Sequence, residues 1–116
     1  MDESILTSIK LALGIQEDYE YFDAQLIMHI NSILAVLTQV GVGPSEGFSI
    51  GDSSETWGDF IGENVKLDYV KSYVYLRTKV LFDPPQSSVV MEAMKASIAE
   101  LEWRGFVECD PVEGTI

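Results

Sequence analysis

Cysteine and histidine occur once each in the 116 residues, as Cys109 and His29. A lone thiol cannot close an internal disulfide, and the acidic neighbours of Cys109 keep it protonated rather than activate it. A lone imidazole beside Ile27 and Ile30 cannot build a histidine metal cluster within one subunit, because a metal needs several converging ligands. No apolar run approaches the roughly 20 residues that span a bilayer, and no basic segment followed by an apolar block opens the chain. The expectation is a cytoplasmic protein without a membrane segment. Positive charge is missing altogether between Leu11 and Val65. Affinity for nucleic acid comes largely from neutralising phosphates, so tight binding of DNA or RNA is disfavoured.

What is present is acid. The formal charge is -12, and Glu17, Asp18, Glu20, Asp23, Glu46, Asp52, Glu55, Asp59 and Glu63 crowd the cation-free stretch. Lys66, Lys71, Arg77, Lys79, Lys95 and Arg104 fall in the second half, before Glu108, Asp110 and Glu113 turn the end acidic again. Such a charge keeps a protein soluble; it also makes a surface that does not hold DNA. With 47% hydrophobic and 22% charged residues, the chain has enough apolar material for one domain with a modest core.

Periodicity predicts an all-α, single-domain bundle of about four to five helices. Asp2, Glu3 and Ser4 open a segment over 5–13 with Ile5, Leu6, Ile9 and Leu13 on one face, and Gly14 ends it. Asp23 is placed to cap a helix reaching Val40, where Leu26, Ile30, Ile33, Leu37 and Val40 alternate spacings of four and three. Gly41 is its natural stop. Residues 41–62 hold six of the nine glycines. This long Gly-rich loop also carries Phe48, Ile50, Trp57, Phe60 and Ile61, which are costly to leave in water. A helical turn over 56–61 would gather the last three. Either these aromatics fold onto the domain's own core, or the loop reaches a neighbouring subunit. A central helix follows over 67–82.

Leu81-Phe82-Asp83-Pro84-Pro85-Gln86-Ser87-Ser88 forms a stiff corner. Proline lacks an amide proton and disfavours helix in the residue before it, so the helix stops near Phe82. Ser87 or Ser88 can cap the next one, expected over 88–104 with Met91, Met94, Ile98 and Leu101 inward. Gly105 should stop it. Residues 1–104 then make the helical domain and 105–116 a flexible acidic tail.

No reactive constellation stands out, so no catalytic residue, cofactor site or metal site is expected. Glu17, Asp18, Glu20 and Asp23 lack the spacing and glycine of a calcium loop, and Asp52 to Asp59 fails the same template. Gly41, Gly43 and Gly47 lack the lysine and hydroxyl residue of a phosphate loop. Ser, Asp and His occur, but no spacing assembles them as a triad.

Ile27-Met28-His29-Ile30-Asn31-Ser32, Gly41-Val42-Gly43-Pro44, Gly47-Phe48, Trp57, Phe82-Asp83-Pro84-Pro85 and Leu101-Glu102-Trp103-Arg104 together resemble the head-tail connector (adaptor) proteins of long-tailed bacteriophages, over about Ile5 to Arg104. The resemblance implies a non-enzymatic, structural virion protein. It implies a homo-oligomeric ring of about twelve or thirteen subunits between the portal protein and a neck or tail-completion protein. DNA would pass through without specific binding, and the protein would sit at the head-tail interface after assembly in the host cytoplasm. A ring needs two different contact surfaces on each subunit. On this reading Phe48, Trp57 and Phe60 are apolar anchors at the subunit or portal interface. Lys71, Lys79 and Lys95 form a basic face, and Pro84 and Pro85 fix the angle between the last two helices. A competing expectation is a small acidic binding module, a DNA mimic or an inhibitor of a host protein.

Overall fold

The computed structural model describes residues 3–62 and 67–109. They form α1 (Ile5–Ala12), α2 (Asp23–Gln39), α3 (Trp57–Ile61), α4 (Leu67–Phe82) and α5 (Ser88–Cys109). No strand occurs among the described residues; one isolated antiparallel bridge joins Ser4 to Thr56. The all-α expectation holds. α4 is the central element, packing on α1, α2 and α5. Its Val70, Tyr73, Val74 and Thr78 are buried against Leu26, Ile30, Ile33, Leu34 and Leu37 of α2 and Ile5, Leu6 and Ile9 of α1.

α1 begins as its sequence suggests, with the Ser4 hydroxyl accepting from Thr7 N at 3.1 Å, and it finishes before Gly14 at φ 86°. α2 departs from expectation at its start. Phe22, not Asp23, holds the N-cap position, and no side chain caps the helix. Asp23 instead points its carboxylate at Lys10. The far end of α2 follows the glycine rule. Gly41 turns to φ 96°, its N donates to Thr38 O at 3.1 Å, and Val42 N donates to Leu37 O at 2.9 Å. That paired bonding satisfies the last carbonyls and tucks Val42 into the core.

The long loop is tied down along its length. Asn31 on α2 donates from Nδ2 to Ile50 O at 3.0 Å and accepts from Ile50 N at 2.7 Å, so one amide replaces a two-bond strand pairing. At the loop's end Ile5 N donates to Glu55 O and Trp57 N to Glu3 O. Thr56 and Asp59 exchange the reciprocal bonds of a capping box at 3.1 and 3.0 Å, starting α3. Trp57 then inserts between helices and donates from its indole to Ser8 Oγ at 2.8 Å. Phe60 is equally buried, with Phe48 against it at a ring separation of 5.3 Å.

The proline corner stands where expected. α4 ends at Phe82 and Ser87 caps α5, accepting from Val90 N at 3.3 Å. α5 presses one face on α4: Ile98 is buried and Met91, Met94 and Leu101 are half-buried, while intervening residues are exposed. Gly105 does not stop it, because α5 runs on to Cys109; an interior glycine costs about 1 kcal/mol but does not forbid helix. The end of the expected tail, 110–116, lies outside the described residues.

Gly43 has the tightest backbone requirement. It sits at φ 85°, and an added Cβ would run into the Phe60 ring. Gly43→Ala should therefore lose about 2–4 kcal/mol, from left-handed strain plus displacement of a core aromatic. Gly51→Ala, where the nearest atom to a Cβ is 3.8 Å away, should change stability by under about 0.5 kcal/mol in the same urea titration.

Candidate functional site

Three surface features stand out, two of them flanking the segment 15–22. On one side is a cavity of ≈ 470 Å³ lined by Leu6, Thr7, Lys10, Glu17, Asp18, Glu20, Asp23 and Ser53. Lys10 forms its floor. Its side chain is 2% exposed, with Nζ 2.8 Å from Asp23 Oδ1 and donating to Glu17 O at 2.9 Å. An ammonium this deep requires a carboxylate partner and hydrogen bonds to offset lost hydration. Glu17, Asp18 and Glu20 stay exposed at the rim. No three metal-ligating side chains converge among the described residues. Nor do the carboxylates of 52–59 make a cation loop: Asp52 and Glu55 spend their oxygens on backbone N–H groups of the turn. Its bonds from Ser54 hold the Asp52 carboxyl below its ordinary pKa.

On the other side of 15–22 lies an apolar groove of ≈ 410 Å³, lined by Leu13, Ile15, Phe22, Gln25, Phe82 and Asp83. Phe22 meets Phe82 edge-on at 5.1 Å, joining this segment to the end of α4. Tyr21 meets Phe22 at 5.0 Å and Tyr19 follows at 5.9 Å. Tyr21 is 79% exposed and Tyr19 50%, so the groove continues outward as an aromatic ridge.

The third feature is the outward side of α5. Val89 and Trp103 are 77% and 71% exposed, and a separation of fourteen residues places them on one helical face. The angle of that face is set at two places, the proline corner and a clamp further along. There the Tyr73 hydroxyl donates to Glu102 at 2.9 Å, while Arg77 donates to both Tyr73 and Glu102. The Arg77 guanidinium also lies over the Tyr73 ring, 5.6 Å from its centroid. Burial, then the bond to Glu102, pushes the Tyr73 phenol up from 10.0 to about 12.

The residues expected to form contacts fall into three groups. Trp57 and Phe60 are 1% and 2% exposed, so they are core and not surface anchors; Phe48 is half-buried against Phe60. The loop's own hydrogen bonds carry these rings inward. Lys71 pairs with Glu3 and Lys79 with Asp83, which together with Arg77–Glu102 leaves no broad basic face on α4. Lys95 is exposed and, alone among the cations whose side chains are described, has no carboxylate partner. Pro84 is exposed and Pro85 half-buried at the corner. The sequence reading missed Lys10, although its place four residues after Leu6 puts it beside the apolar stripe. It also missed the Tyr19–Tyr21 ridge.

A family model described as phage connector protein matches residues 5–112, nearly the whole chain. The chain belongs to the phage connector protein family. No curated protein and no solved structure gives a match. The family is a structural one, so this connector is a component of the phage particle. The match extends beyond Arg104 into the region that the sequence resemblance left out. Among the described residues no helix is long and apolar enough to cross a membrane.

Two outcomes follow for this connector. Lys10→Met should destabilise it by about 2–4 kcal/mol, since Asp23 and the Glu17 carbonyl lose their donor, and adding Asp23→Leu should recover part of that loss. Denaturant unfolding of the two variants measures both. Because the folded state holds the Tyr73 proton more tightly, that contribution to stability is whole below pH 10 and is lost as pH rises through about 12. The gap in melting temperature between wild type and Tyr73→Phe should narrow across that window.

Proposed function

We propose that this connector is the head-tail adaptor of a long-tailed phage. Its copies close into a ring beneath the portal, next to a neck or tail-completion protein, and DNA passes through the ring during packaging and ejection. The family match supports a connector role. The observation that carries the DNA part is the fate of the cations. Lys10, Lys71, Arg77 and Lys79 are each bound to a carboxylate of the same subunit. With a formal charge of -12, the surface offers carboxylates and few free donors for phosphate. A wall of this kind repels the DNA backbone and lets it slide.

A ring also closes only if each subunit presents its two contact surfaces at one angle. Pro84 and Pro85 stiffen the corner that sets α5 against α4, and the Tyr73–Arg77–Glu102 clamp holds the same pair of helices further along. The subunit repulsion expected at this net charge disfavours assembly in dilute solution, so the portal acts as template.

Negative-stain microscopy of the purified protein with portal should show added rings of about twelve or thirteen subunits, and gel shifts at low salt should show no retained DNA. Pro84→Ala with Pro85→Ala should lower ring yield while costing about 1–2 kcal/mol of stability or less. A protein that ignores portal and binds a nucleic-acid enzyme as a monomer or dimer would be a DNA mimic, and the adaptor reading would be wrong.

A further inference from the structure

We propose that the outer face of α5 of one subunit docks on the 15–22 segment of a second copy, with Trp103 in the apolar groove and Lys95 at the carboxylate-lined cavity. This rests on the ring reading above and names the two surfaces that meet in it. Each side is unsatisfied alone. α5 exposes an indole and a valine that a solitary subunit leaves in water, and Lys95 is its free ammonium. The 15–22 segment exposes two tyrosines between an apolar groove of ≈ 410 Å³ and an acidic cavity of ≈ 470 Å³.

The pairing is complementary in charge and in chemistry. Glu17, Asp18 and Glu20 rim the cavity without a cation of their own, because Lys10 is taken by Asp23 and the Glu17 carbonyl. Lys95 and Trp103 lie on neighbouring flanks of α5, about 12 Å apart along its axis, so one helix laid beside the segment can reach both of its sides. Tyr19 and Tyr21 between the cavities offer ring faces and hydroxyls to the lysine stem and the indole. The two surfaces differ, so the contact is head-to-tail. A growing oligomer then keeps one free copy of each surface, at its two ends, until the ring closes.

The test is a charge exchange in the full-length protein. Lys95→Glu and Glu20→Lys should each weaken self-association by about tenfold or more, and the double variant should restore it to within about threefold of wild type. Trp103→Ser and Tyr21→Ser should also lower ring yield with an unchanged melting temperature, since both side chains are exposed. Sedimentation of the protein alone and on portal reads all of these. Normal rings from Lys95→Glu and Trp103→Ser would overturn the pairing while leaving the adaptor reading intact. Portal binding by wild-type subunits that never touch one another would overturn it too. A wild type that neither self-associates nor binds portal would overturn both.

Discussion

The acidic half of the molecule is organised around a single buried ammonium. Lys10 Nζ reaches from α1 to Asp23 at the first residue of α2 and to the Glu17 carbonyl in the connecting segment. Three pieces of chain, α1, the acidic connecting segment and the start of α2, are thereby held at one point. Without that point the carboxylates of 17–23 would spread, because repulsion and hydration both favour separation. α2 starts without a side-chain cap, so the aspartate that would ordinarily satisfy its free amides has been drawn to the ion pair. The rings of Tyr19, Tyr21 and Phe22 are fixed relative to α4 by the same arrangement, since Phe22 reaches Phe82 only if the segment before it is held.

A second constraint acts on the long loop. The loop adds Val42 and Ile50 to the core, and α3 at its end adds Trp57 and Phe60. The backbone groups of such a loop need partners once water is excluded, and here they come from Asn31, the turn after α2 and the paired stretch at Ser4 and Thr56. The loop aromatics are therefore spoken for inside the subunit. Exposed apolar area lies elsewhere among the described residues, and is greatest in proportion at Tyr21, Val89 and Trp103.

The helices and the corner were legible because periodicity and proline act locally. Met91, Met94, Ile98 and Leu101 point inward as their spacing requires, and α4 ends at Phe82 as Pro84 requires. What was not legible depended on distant partners. A lysine beside an apolar stripe ordinarily snorkels to water, and only the fold shows that Lys10 meets Asp23 instead. Asn31 has no periodic signal for its bonds to Ile50, nineteen residues away. The charge segregation misled for the same reason. The cations gathered along α4 make no basic face, because Lys71 reaches Glu3, Arg77 reaches Glu102 and Lys79 reaches Asp83. Glycine at 105 signalled a stop that the helix did not need, since its cost is small beside the bonds that continue through it.

Corner and clamp together fix the direction of α5. A corner alone fixes where two helices meet but leaves them able to splay, because a small angular error at Pro84 grows along the 22 residues of α5. Tying Glu102, further along α5, to Tyr73 and Arg77 of α4 removes that freedom. The tie is polar and lies at the edge of the core, where charge-assisted bonds keep more of their strength than at an open surface. Among the α5 residues whose side chains are described, Ile98 alone is buried, so apolar packing by itself holds this stretch loosely. A conformational restraint at its start, a polar one at Glu102 and a thin apolar seam between them fix the direction of the helix. On the proposed contact with a second copy, the neighbour docks on the other side of that helix.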